Sequence, residues 1–206
     1  MSNTKAKGAG WKRWLFSETL LTKNRSHKIA YVAVMTALVV AANMFFEFKL
    51  AEAQISLTLA ISGLTGIILG PLPGFAACFL GDLVGFLYNS AGYAYYPWIG
   101  ISMGFAAVIA GLIIGVVPGK KPWILYVKLT MVCLLTFLLC TVAINTTFFW
   151  LLRNIELGYK LDYGEYLVWR LFLNVPPQIW NSLFNAVVLF LSVPLLKRIK
   201  PLKIQV

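Results

Sequence analysis

The chain has 206 residues, 60% of them hydrophobic and 12% charged; a soluble domain is nearer half apolar with about a quarter charged, so this composition excludes one. The net charge of +11 does not point to nucleic acid, because the basic residues gather at the two ends, from Lys5 to Lys28 and from Lys197 to Lys203, and no basic stripe alternates with aromatics along a groove. At ~20 apolar residues per crossing, the length holds about six transmembrane helices.

Residues 1–28 read as a cytoplasmic basic tail. Within it Trp11, Trp14, Leu15 and Phe16 alternate with Lys12 and Arg13, which suits a short helix at the headgroup boundary. No cleaved signal peptide is expected, since the basic head is long and the first apolar run leads into further spans. Apolar runs follow at 29–47, 55–70, 74–90, 98–117, 123–151 and 171–196, and residues 197–206 form a second basic tail. The fold class expected is an all-α integral membrane protein, a six-transmembrane-helix bundle over residues 29–196.

Between the second and third runs, the segment Gly70 to Gly74 (Gly-Pro-Leu-Pro-Gly) reads as a tight hairpin. The segment from Arg153 to Arg170 reads as the longest loop. If both termini, the Gly-Pro turn and the 118–128 connection share one side, that side holds 14 of the 18 Lys and Arg. The positive-inside rule then makes both termini cytoplasmic and faces the loop from Asn89 to Trp98 outward.

Few residues offer chemistry. Gly100, Ser102 and Gly104 fit the G-x-S-x-G nucleophile pattern, but the only histidine is His27, in the basic tail, and no lysine is expected within the spans, so Ser102 has no base. Cys78, Cys133 and Cys140 lie in apolar stretches without metal spacing. No P-loop, no metal cluster and no paired-carboxylate signature is present, so no catalytic residue, metal site or cofactor is expected.

Small residues repeat at four-residue spacing at Gly66/Gly70, Gly81/Gly85, Gly100/Gly104 and Gly111/Gly115, a pattern of closely approaching helices. Ala33, Ala37 and Ala41 make a flat row on the first helix, for internal packing or for docking a partner helix. On the sixth run, Asn174, Gln178, Asn181 and Asn185 share one face, and amides in hydrocarbon need partners, either neighbouring helices or a polar pocket. Pro176 and Pro177 lie in the same turn and are expected to kink the helix. Asn43 and Glu47 on the first helix, Asn145 and Trp150 on the fifth, and Tyr88, Asn89, Tyr96 and Trp98 between helices three and four can line an outward cup suited to a planar or amide-bearing solute. The alternative for the aromatics, Trp169 included, is an interfacial belt. Asp82, an acid in the middle of the apolar sequence, is paired, protonated or functional; a self-sufficient proton-coupled carrier using Asp82 is the competing reading.

Three local matches resemble the substrate-specific S component of energy-coupling factor (ECF) transporters, folate-family branch. They are the alanine row Ala33, Ala37, Ala41, the run from Leu64 to Gly74 (Leu-Thr-Gly-Ile-Ile-Leu-Gly-Pro-Leu-Pro-Gly), and Phe79 to Gly85 (Phe-Leu-Gly-Asp-Leu-Val-Gly). The resemblance implies a six-helix subunit of a bacterial plasma membrane that captures a vitamin or precursor from outside and joins a T-type membrane subunit with two ATPase subunits. It further implies that Ala33, Ala37 and Ala41 dock the T subunit, and that the loop holding Lys49, Glu52 and Gln54 closes over substrate. Folate-type members commonly carry a basic residue before the second helix, where this chain reads Ala51-Glu-Ala-Gln-Ile-Ser56. The amides of the sixth run therefore favour cobalamin over folate, with pantothenate, hydroxymethylpyrimidine and queuosine precursors also open.

Overall fold

The computed structural model describes residues 12–50, 53–88, 90, 94–117, 122–156, 158, 160–174 and 177–198. Asn89, Glu52, Trp11 and Pro176 lie outside these. In chain order the helices are α1 (Lys12–Leu15), α2 (Glu18–Thr22), α3 (Arg25–Phe45), α4 (Thr58–Leu69), α5 (Pro71–Tyr88), α6 (Pro97–Val116), α7 (Pro122–Thr136), α8 (Thr147–Ile155), α9 (Tyr163–Val168) and α10 (Gln178–Lys197). A π-helical stretch, Phe137–Thr146, joins α7 to α8 without a break, and a second, Trp169–Leu173, continues α9.

Among the described residues, five helices are long and apolar enough to cross a membrane: Arg25–Phe45, Pro71–Tyr88, Pro97–Gly115, Trp123–Ile155 and Gln178–Leu196. The second apolar run gives the 12-residue α4, about 18 Å at 1.5 Å per residue against a hydrocarbon core of ~30 Å. Almost every residue of α4 is buried, so it is an axle inside the bundle. Its core against α6, α7 and α10 is built from Ala60, Leu64, Ile67, Ala106, Ala110, Ile113, Leu129, Leu189 and Val193.

Small residues set how closely these helices approach. A Cβ on Gly66 would run into the backbone carbonyl of Ala107, so α4 and α6 touch backbone to backbone there. Most other glycines of the four-residue pairs likewise meet a neighbouring helix, but Gly115 has nothing within 4 Å, so its pair does not extend the seam.

Several expectations are corrected. The Gly-Pro hairpin is a single-residue turn: Gly70 has φ 94°, which glycine adopts without steric cost. Pro71 and Pro73 already belong to the first turn of α5, where a missing N–H leaves no bond unmade. The connection from α3 to α4 is an antiparallel hairpin, β1 (Glu47–Leu50) and β2 (Ala53–Ser56), with Glu47 opposite Ser56 and Lys49 opposite Gln54; among the described residues it holds the only strands. The sixth run is two pieces, because Leu173 ends the π-helical stretch and α10 starts at Gln178 behind Pro177. Asn174 therefore sits off the helix that carries the other amides. The segment 153–170 is not all loop, since α9 occupies Tyr163–Val168.

Lys128 also departs from expectation. It lies inside α7 and is 1% exposed, so the 118–128 connection loses one of its charges to the helix, and a lysine does sit among the spans. The N-terminal segment, for its part, is more than a surface foot: Thr19 and Leu20 are buried, the Ser17 hydroxyl donates to the Ile68 carbonyl, and the Ser17 N–H donates to Leu69 O at 3.2 Å. Residues 16–20 thus brace the α4–α5 turn.

Candidate functional site

Polar and aromatic side chains converge where the ends of α3 and α5, the hairpin, and the starts of α6 and α10 meet. Asp82 of α5 is 5% exposed. Its Oδ1 accepts from Asn43 Nδ2 of α3 at 3.1 Å, and its Oδ2 accepts from the Tyr95 hydroxyl, just before α6, at 3.2 Å. Gly100 makes room, since a Cβ there would lie 2.9 Å from Asp82 Oδ2. Burial, then the charge of Asp82 and the bond to it, push the Tyr95 hydroxyl above the ordinary tyrosine range. The three residues form a clasp between α3, α5 and the start of α6. Asn43, expected on the cup wall, is 2% exposed and spends a donor on this clasp.

The amides of α10 are also spoken for. Asn181 Oδ1 accepts the Ser56 N–H at 3.0 Å, and Asn185 Oδ1 accepts the Ala60 N–H at 2.8 Å. Asn185 Nδ2 donates to Ser56 O at 2.6 Å and to Asn181 O at 2.8 Å. Helix α4 has no side-chain cap of its own, as its N-cap is Leu57; Asn185 supplies one from 125 residues away. Asn181 pins the return strand of the hairpin to α10. Gln178 is buried at the first turn of the same helix.

A third group surrounds the ring of Phe149. Tyr96 and Trp98 stack at 4.7 Å between centroids, Trp98 stacks on Phe148 at 5.4 Å, and Tyr96 and Trp98 each make a T-shaped contact with Phe149, at 5.5 and 5.8 Å. The guanidinium of Arg170 lies over Phe149 at 4.3 Å from its centroid, and its Nη1 donates to the Tyr166 hydroxyl at 3.3 Å. Arg153 covers Tyr166 and Trp169 at 5.5 and 5.4 Å. Arg170 is 6% exposed, and burial pulls its pKa below the ordinary arginine value. Asn145 Oδ1, one turn before Phe149 in the π-helical stretch, is buried without a hydrogen-bond partner.

The sequence-derived cup is therefore divided. Tyr96, Trp98 and Asn145 fall in or beside the Phe149 group. Trp150 locks a loop: its Nε1 donates to Leu161 O at 3.0 Å, where Asn154 also donates, at 3.2 Å. Tyr88 is 75% exposed at the end of α5 and stands apart. The backbones of Glu47 and Gln54 are in the hairpin, and Asn174 closes the π turn through its N–H to Trp169 O at 2.7 Å. Sequence reading missed Arg170 and Phe149 as partners. In the sequence Arg170 stands only as the end of the long segment that starts at Arg153, although Tyr166 four residues earlier was the available signal.

Ser102 is 1% exposed and donates to Ile99 O at 2.9 Å within its own helix, in keeping with a packing residue. On the opposite side of α3 from the core, Ala33 and Ala37 are exposed and Ala41 is half-buried. Beside them a groove of about 640 Å³ runs between α1–α2 and α3, lined by Lys12, Phe16, Leu20, Lys28, Ile29 and Ala33 among others.

A family model described as ECF-type riboflavin transporter, S component, matches residues 23–200. Among curated proteins none matches the chain. A solved structure entitled "Crystal structure of FolT bound with folic acid" superposes with a TM-score of 0.60 at 24% identity, covering 81% of this chain and 90% of that one; at this identity the likeness establishes the fold.

Proposed function

The chain belongs to the ECF-type riboflavin transporter S-component family, and from that premise we propose that it is the substrate-capturing subunit of an ATP-driven vitamin importer. The observation that carries this reading is the family match across residues 23–200. The subunit takes its ligand at the α6–α8–α10 end, facing outward, and crosses a bacterial plasma membrane six times with both termini inside. Helix α4 counts as the short second crossing, completed by the hairpin that precedes it.

Its partners are a T-type membrane subunit and two ATPase subunits, which supply the hydrolysis this chain has no motif for. The row Ala33, Ala37 and Ala41 is the docking face. Two observations favour that use over internal packing: Ala33 and Ala37 are exposed, and the groove beside them offers room for an inserted partner helix.

The ligand is a planar vitamin, and folate fits better than the cobalamin favoured by the amide stripe. The two names among the comparisons are riboflavin and folic acid. The amides that argued for cobalamin hold the hairpin and α4 instead, which leaves stacked rings, not an amide wall, as the receiving surface. Tyr96, Trp98 and Asn145 line it; Glu47, Gln54 and Asn89 are assigned to the closing rim. The clasp around Asp82 argues against a proton-coupled carrier, because both carboxylate oxygens are engaged in joining helices.

The test is native mass spectrometry of the detergent-purified full chain against folate, riboflavin, cobalamin and pantothenate. One-to-one binding of a single planar vitamin is expected, with uptake in vesicles only when the T subunit and ATPases are co-reconstituted. Uptake by the chain alone would overturn the subunit reading.

A further inference from the structure

Buried N–H groups in folded proteins are nearly always paired. Two that are not, among the described residues, flank one ring. Arg170 Nε and Trp98 Nε1 are buried without hydrogen-bond partners, and both side chains pack on Phe149. Arg170 carries five donors and spends Nη1 on the Tyr166 hydroxyl; no carboxylate bonds it among the described residues. Its other charged neighbour is Arg153, whose influence is repulsive. A guanidinium 6% exposed and lacking a counter-ion among the described residues is costly, and the ring of Phe149 and the hydroxyl of Tyr166 offset only part of that cost.

Two unpaired donors beside one ring and one fixed positive charge call for an acceptor-only, negatively charged group. Guanidinium and carboxylate match as planar forks, and the stacked Tyr96–Trp98–Phe148 surface beside them suits a flat ring system. Asn145 Oδ1, buried and without a partner near the foot of the same group, is a free acceptor for a ring N–H. We infer that Arg170, with Trp98, is the anion receptor of the substrate site, and that it selects a planar vitamin carrying a carboxylate over a neutral one. This rests on the vitamin-capture reading above and decides between the two ligand types named there, since folic acid carries carboxylates and riboflavin carries none.

The experiment is isothermal titration of the detergent-purified full chain with folic acid, folic acid dimethyl ester and riboflavin, repeated on Arg170→Gln and Arg170→Lys. Wild-type protein should bind folic acid at least about tenfold more tightly than its diester, the scale of a hydrogen-bonded charge. Arg170→Gln should lose about tenfold or more for folic acid and less than about threefold for the diester, and Arg170→Lys should fall between because it keeps the charge without the fork. Should Arg170→Gln fail to fold, the acid-to-ester comparison on wild-type protein decides alone. Riboflavin bound in preference to folic acid, equal affinity for acid and ester, or an unchanged folic acid affinity in folded Arg170→Gln would overturn the inference while leaving vitamin capture standing. A folded wild-type chain that binds no vitamin of the larger panel would overturn both.

Discussion

Asp82 and Arg170 are both charged side chains buried at the same end of the bundle, yet they are treated differently. The carboxylate of Asp82 receives a hydrogen bond on each oxygen, from Asn43 and Tyr95. The guanidinium of Arg170 receives a ring, one hydroxyl and no carboxylate among the described residues. The chain supplies partners where helices are held together, and the proposed receptor role of Arg170 explains why they are withheld from its guanidinium. A buried polar group thus announces its use through what its neighbours leave undone.

The difference is sharpest if Asp82 is disarmed. Asp82→Ala removes the acceptor of one buried and one half-buried donor and should lower stability by about 3 kcal/mol, two charge-assisted bonds of ~1.5 kcal/mol each at the low end of their range. Thermal unfolding of the ligand-free chain in detergent measures it. Asp82→Asn, which keeps shape and one acceptor, should cost roughly half as much, and co-reconstituted uptake should survive it. Preserved stability with abolished uptake would instead make Asp82 a coupling site and break the comparison.

Next in size is the amide pair of α10. Asn185→Leu strips the cap from the Ala60 N–H and the donor from Ser56 O, and should cost about 2 kcal/mol, one buried backbone group losing its partner at either end. Amide exchange should rise first at residues 56–60 and in the hairpin. An increase confined to α10 would show that the asparagines serve their own helix only.

These amides also mark how far the sequence could be read. Hydropathy located the long helices because crossing hydrocarbon leaves few alternatives to an apolar run. A three-four spacing placed Gln178, Asn181 and Asn185 on one face, and the structure keeps them there on α10. What they face was not legible, because the groups they bond, at Ser56 and Ala60, come from an element more than a hundred residues earlier. Asn174 was lost from the stripe because Asn174 and Pro177 both have extended backbone, with ψ 150° and 141°. Lys128 was read as part of a connection, though α7 begins at Pro122 and buries it.

A smaller effect is expected at Trp150, which sits next in sequence to Phe149 but behaves like the Asp82 class, with its N–H spent on Leu161 O. Trp150→Phe keeps the ring and removes that bond, for about 1 kcal/mol. Exchange of the backbone amides around 160–162 should quicken about fivefold, while affinity for the vitamin changes less than about twofold. A larger loss of affinity would move Trp150 into the receiving surface with Trp98.

The smallest effect on the isolated chain is expected where small residues face outward. Gly66 and Ala107 meet backbone to backbone, and any side chain added at Gly66 must displace a helix. Ala37 has the same smallness but is exposed on α3, so Ala37→Trp adds bulk where the chain itself has nothing to displace. Melting temperature and ligand affinity should stay within experimental error of wild type, whereas co-purification with the T subunit should be abolished. The contrast with Gly66 matters because the two positions carry the same small-residue signature in sequence and differ only in which surface fills the space. If Ala37→Trp unfolds the chain or weakens ligand binding, the row is packed against the protein's own helices and the docking face must be sought elsewhere; if it does neither and the partner still binds, the row is merely lipid-facing.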